Sequence, residues 1–292
     1  MKSSVRLCRI ASFSSVAVFL LISILHSIAY LSAFGVTNEN YFNPGAILPT
    51  VAIALALLWT LLGTVLAIRC KTAEIGHSPF PLASLLTALG YLAAAILLWL
   101  SLDSSLAKIT AAVLLASALG IAVSTVSKGI SDDAKALLGF LPTVGCILLA
   151  IVYYFEKRAE MNAPLKITVM AGVLLVMMYH IQKIRLWLGR PTPRMFLLFT
   201  VALLGVGALS AIPVPIAFLA GVFNRSETIT SLPTLASVLR NPECLAGSLI
   251  ILGACTEAAV QSFGITEAKK KKEDSDNTEK APDTLEDCEE KA

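Results

Sequence analysis

Charge is what this chain has least of. Only 15% of its 292 residues are Asp, Glu, Lys or Arg, and 56% are hydrophobic, where ordinary soluble domains carry about 25% charge. That balance excludes a water-solvated globule. Six cysteines, Cys8, Cys70, Cys146, Cys244, Cys255 and Cys288, show no C-x-x-C or zinc-type spacing, which argues against a disulfide framework or a structural zinc site. They read as small apolar fillers and free thiols. No H-E-x-x-H, G-x-S-x-G or G-x-x-x-x-G-K-[ST] occurs, so the familiar zinc-peptidase, hydrolase and nucleotide-phosphate signatures are missing. No catalytic residue, cofactor or nucleic-acid partner is indicated, and the chain leans away from an enzyme.

What fills the chain instead is long apolar runs. Seven windows of at least 16 residues contain no charged side chain, and an eighth is interrupted by Glu257 alone. A helix needs about 20 mostly apolar residues to cross a hydrocarbon layer of ~30 Å, because unpaired backbone and buried charge are both costly there. The sequence therefore predicts an all-α, polytopic transmembrane bundle of about eight helices, at 10–33, 47–68, 81–101, 109–127, 136–155, 164–182, 195–222 and 244–263. The bundle occupies 1–264. A charged tail, 265–292, opens on Lys269–Lys272 and continues acidic, a composition that cannot bury enough apolar surface to fold. The four lysines read as an anchor beside the membrane.

The basic residues set the orientation. With eight spans, 17 of the 23 Lys and Arg residues fall on the side of the N-terminus and six on the other, so both termini are expected in the cytoplasm. This reading puts Lys183 in an inner segment and counts Lys166, at the start of the sixth span, on the outer side. Tyr41, Phe42, Trp99, Tyr153, Tyr154 and Phe223 fall at outer edges, and Tyr179, Trp187, Phe196 and Phe263 at inner ones, as interfacial aromatic belts do. Trp59 falls near mid-helix and fits no belt. Ser27-Ile28-Ala29 resembles a signal-peptide cleavage site, although the preceding apolar core is long for one. Ser131-Asp132-Asp133 suits a helix N-cap. Pro142 and Pro213-x-Pro215 predict kinks, with the long seventh span tilting or breaking at the proline pair. Asn224-Arg225-Ser226 matches a glycosylation acceptor, and 233–240 has the look of a short surface helix.

Few residues in the windows can carry chemistry. Glu257 sits ~20 Å from the outer end of its helix, on a face shared with Ala246, Ile250, Gly253, Ala254, Gln261 and Gly264. An acid inside a membrane usually faces the bundle interior and often marks an ion or proton path. The bland alternative is a structural acid hydrogen-bonded to Gln261 or a hydroxyl. Ser12, Ser15, Ser23, His26 and Tyr30 form a polar stripe on the first helix, interrupted at Phe19. His26 is its titratable member, though a packing histidine is the plainer reading. Ala116-x-x-x-Gly120-x-x-x-Ser124, and Gly207 within Thr200, Gly207 and Ser210, are small-residue stripes suited to helix packing. Glu74, His77, Asp132, Asp133 and His180 would all project to the inner face and form a conceivable metal set, but solvation and capping explain them more simply.

Three classes follow. One is a transporter of a small solute or ion, with Glu257 as its proton- or cation-responsive group and a cavity lined by Glu257, Gln261, His26, Tyr30 and Ser23. A second is a non-catalytic scaffold or subunit whose stripes bind a partner membrane subunit. The third, least supported, is a membrane-embedded metal-dependent enzyme. No internal repeat relates the two halves, which weakens the first class. The compact loops fit a bacterial plasma membrane.

Overall fold

The computed structural model describes residues 2–34, 41–69, 73–75, 81–127, 129–155, 162–190, 192–221, 241–263 and 265–267; for 2–7, 73–75 and 265–267 only the backbone is considered. Nearly all of it is helical. The helices are α1 (Lys2–Ala33), α2 (Ile47–Arg69), α3 (Pro81–Ser101), α4 (Ser105–Val126), α5 (Asp132–Phe155), α6 (Pro164–Trp187), α7 (Pro193–Gly207), α8 (Pro213–Leu219) and α9 (Pro242–Phe263). Two three-residue strands, β1 (Ala73–Ile75) and β2 (Ile265–Glu267), pair antiparallel. Among the described residues, seven helices are long and apolar enough to cross a membrane. Asn224, 233–240, Cys70, His77, Cys288 and the tail beyond Glu267 lie outside the described residues.

The eighth crossing is a broken one. The expected seventh span divides into α7 and α8, separated by turns at 208–212. Pro213 supplies no backbone donor, and its ring crowds the carbonyl four residues earlier, so the helix yields just before it. A carbonyl released inside the membrane needs a new partner. Ser23 Oγ of α1 donates to the Ala208 carbonyl at 3.1 Å, which ties the break to the first helix. Pro142, by contrast, lies within an unbroken α5.

Local chemistry explains the other ends. Proline opens α3, α6, α7, α8 and α9, the position where its missing N–H costs nothing. Ser104 Oγ accepts from the Ala107 N–H at 3.2 Å and Ser131 Oγ from Ala134 at 3.3 Å, capping α4 and α5. After Trp187 the chain turns at Gly189, whose φ is 67°. Gly189 N–H bonds the Leu186 carbonyl and Arg190 N–H the Arg185 carbonyl, the paired closure that favours glycine at a helix end.

The helices alternate in direction through the layer. Ser84, Thr87 and Gly90 on α3 meet Glu257, Gly253 and Leu249 on α9 in reverse order, so these two run antiparallel. The β1–β2 pairing joins the α2–α3 connection to the chain just after α9. Both therefore lie on one side, as an even number of crossings requires, and both termini share it. By its excess of basic residues that side is cytoplasmic.

Helix α9 is the axis, packed against α3, α6 and α7, while α2 lies outside on α1 and α7. Backbone approach is closest between α3 and α9. A Cβ added at Gly253 would stand 2.8 Å from Thr87 Cα, and one at Gly90 2.6 Å from the Leu249 carbonyl oxygen.

Several sequence expectations need correction. Lys183 is in no connecting segment; both it and Lys166 are buried within α6. One comes from each side of the count, so the sidedness is unchanged. Tyr153, Tyr179 and Phe196 are buried in the core, each with neighbours inside the bundle, while Trp99, Tyr154 and Phe263 are exposed as a belt requires. Trp59 gains an explanation: its indole Nε1 donates to Ser15 Oγ at 3.2 Å. Cys8 is no free thiol but disulfide-bonded, whereas Cys146, Cys244 and Cys255 are free and buried.

Candidate functional site

A buried polar cluster lies in the inner half of the membrane-spanning core, where α3, α6 and α9 meet. Gly253 lets α9 settle on α3, and four residues later Glu257 emerges against that helix. Its Oε1 accepts from Ser84 Oγ at 2.5 Å, and its Oε2 lies 3.2 Å from the Thr87 hydroxyl. Thr87 has alternative acceptors in the Gly253 and Ala83 carbonyls. From α6, Lys183 Nζ reaches Glu257 Oε1 at 2.6 Å as an ion pair. The ammonium also lies 5.3 Å from the Trp187 ring centre, within cation–π range.

Around this pair the polar contacts continue. Tyr179 Oη donates to Gln261 Oε1 at 2.8 Å. Tyr91 Oη lies 2.9 Å from His180 Nε2 and 3.2 Å from Cys146 Sγ. All are buried. Charges this deep persist only when paired and hydrogen-bonded, because the cost of leaving water is otherwise unmet.

The pair forms the floor of a cavity of about 200 Å3. Its walls are Pro81 of α3, Ser124 and Thr125 of α4, Lys135 of α5, Leu186 and Trp187 of α6, and Gln261 of α9. Each comes from the inner end of its helix, so the cavity faces the cytoplasmic surface. Glu257 lies ~9 Å from the inner end of α9, at 1.5 Å per residue. Lys183 presents slightly more of its side chain, 9% against 1% for Glu257.

The remaining sequence candidates have varied places. Gln261 bonds Tyr179 instead of Glu257. Ser23 serves the α7–α8 break. His26 is fully buried, and neither ring nitrogen has a hydrogen-bond partner among the described residues; it packs edge-on to Tyr30 and Phe42, with ring centres 5.0 and 5.4 Å away. Tyr30 stacks further on Phe34 and Phe42. His26 and Glu257 are not brought together. Gly120 faces Leu138 and Leu141 of α5 at ordinary contact distance, and Gly207 meets Cys255 and Ile251 of α9 within 3.0 Å of a would-be Cβ. Ala116 is only half-buried, and Ser124 lines the cavity instead of a tight helix seam. His180 points into the core toward Tyr91 rather than to the inner surface, which removes it from the conceivable metal set with Asp132 and Asp133. The His77 member lies outside the described residues.

Sequence reasoning missed Lys183, Lys166 and Glu243. The last two are buried at the outer ends of α6 and α9, where Tyr153 Oη donates to the Glu243 carbonyl at 2.8 Å. For Lys183 a signal existed. Lys166, Val169, Val173, Val176, His180 and Lys183 follow one three-and-four spacing, the inward stripe of a helix.

This is a multi-pass integral membrane protein with a buried ion pair beside a cavity in its inner half. No protein-family model, curated protein or solved structure matches the chain.

Proposed function

We propose that the protein moves a small solute or ion across the membrane, with Glu257 as the proton- or cation-responsive group, in a plasma membrane of bacterial type. One observation carries this reading: the Glu257–Lys183 pair forms the floor of a cavity that faces the cytoplasm. A purely structural ion pair is best sealed on all sides, since water weakens it. Here both members line the cavity. The broken α7–α8 segment packs against α9 and α1, and an interrupted helix beside the axis supplies a hinge that a continuous one lacks. Ionisable groups facing a hydrated space inside a bundle are the usual marks of ion and substrate paths.

The test is flux. Purified protein in proteoliposomes, with a trapped pH dye, is challenged with a panel of anionic, cationic, zwitterionic and neutral solutes under an imposed pH gradient. At least one solute should move in a pH-dependent way, and Glu257→Gln should abolish that dependence while the protein keeps its elution profile. A Glu257→Gln protein with the wild-type pH response removes the assigned role.

A further inference from the structure

Deepening the translocation reading, and resting on it, we propose that the inner cavity binds a small monoanion of the carboxylate type on Lys183, together with one proton on Glu257. The exposure of the two charges argues for it. Both line the cavity, but Lys183 is the more exposed, 9% of its side chain against 1%, while the Glu257 carboxylate is engaged by Ser84, Thr87 and Lys183. Lys135 stands on the cavity wall as a second cation, bonded to Asp132 at 3.0 Å. Gln261 adds a neutral donor. Its Oε1 is taken by Tyr179, which leaves the amide NH2 for the cavity it lines.

The remaining wall is acceptor-like. Ser124 and Thr125 spend their hydroxyl protons on the Ile121 carbonyl, at 2.9 and 2.7 Å, so their oxygens suit a hydroxyl or other donor on the same solute. Trp187 supplies an apolar side. A space of about 200 Å3 holds six or seven waters at ~30 Å3 each, which limits the guest to a small molecule.

Coupling follows from Lys183 having two suitors. With Glu257 ionised, its carboxylate occupies the ammonium, and an incoming anion would place two negative charges against one positive. A proton from the cytoplasmic solution, taken onto the Glu257 carboxylate, breaks that ion pair. The Lys183 ammonium then turns its N–H donors to the anion. The site is neutral before and after, as buried charge demands. Protonation without the anion would strand Lys183; the anion without the proton would strand itself. The other titratable groups acting on or with Glu257 are His180 and Tyr179 on α6 and Tyr91 on α3. His180 and Tyr91 bond one another and Tyr179 bonds Gln261, so these are committed to partners of their own. Thermodynamic linkage then makes proton and anion each raise the affinity for the other.

The experiment is calorimetry with a pH indicator on the full chain in detergent and weak buffer. The probes are acetate, lactate and benzoate, with glycine, glycerol and tetramethylammonium as comparisons. The expected result is uptake of one proton per anion bound, with affinity falling about tenfold per unit of pH above the titration of the site. Glu257→Gln, which mimics the protonated acid, should bind the anion with no proton uptake and no pH dependence. Anion binding without proton uptake in the wild-type protein overturns the proposal. So does binding confined to glycine, glycerol or the cation, or no binding of any probe. The two readings fail separately. Glu257-dependent flux of a neutral or cationic solute leaves translocation standing and sinks the anion site; proton-linked anion binding without flux does the reverse.

Discussion

Helices α2 and α9 are both about one membrane thickness long, yet they are opposites. The most apolar window of α2 has a mean hydropathy of 2.5 and is 22% buried, while that of α9 has 1.5 and is 72% buried. In water the order would be reversed, with the most apolar helix innermost. Lipid removes the drive to hide apolar side chains, so Leu57, Leu58 and Leu61 of α2 stay outside, and the interior is chosen by small residues and polar groups that need partners. Helix α9 offers both. Gly247 and Gly253 bring it against its neighbours, and Glu243, Ser248, Glu257 and Gln261 are all buried. Hydropathy alone therefore ranks these helices in the wrong order for importance.

The contrast sharpens under substitution, and the largest effect is expected at the ion pair. Lys183→Met leaves the Glu257 carboxylate buried without its counter-charge and should cost about 3–5 kcal/mol in reversible unfolding. Adding Glu257→Gln to that variant should recover most of the loss, because the pair is then replaced by neutral groups. Additive losses in the double variant would mean the two side chains do not interact. Next comes the backbone contact. Gly253→Val forces α9 off Thr87, and we expect a loss of about 2 kcal/mol or more from overpacking; Leu61→Ala on α2 should change stability by well under 1 kcal/mol in the same detergent, since that side chain is 68% exposed. Equal losses at the two positions would erase the distinction between axis and periphery.

Much of this was legible in the sequence, for physical reasons. Charge-free windows locate crossings because the hydrocarbon layer penalises charge wherever it falls. Pro213-x-Pro215 foretold the broken crossing because a missing donor has the same consequence in any surroundings. Glu257 stood out as the single interruption of an apolar window. Lys183 did not. By charge and position alone, a lysine near a helix end looks the same whether it reaches outward to headgroups or turns inward to a carboxylate; the positive-inside rule assigns it outward, and only its spacing with Val176 and His180 pointed inward. Lys166 and Glu243 were concealed likewise, each in the first turn of a helix opened by proline. His180 was misplaced with Lys183, since ending the sixth span near Gln182 leaves it at the surface. The role of Ser23 depended on a partner 185 residues away, which no local pattern reveals.

The most direct test of the central claim, an inner-facing cavity reaching the Glu257–Lys183 pair, is thiol accessibility. Ser124→Cys, in a background with the native cysteines replaced, would be exposed to a charged, membrane-impermeant thiol reagent in inside-out and right-side-out vesicles. The account predicts labelling from the cytoplasmic side alone, slowed when benzoate occupies the cavity at low pH. Labelling only from the outer side, or none from either, would contradict it.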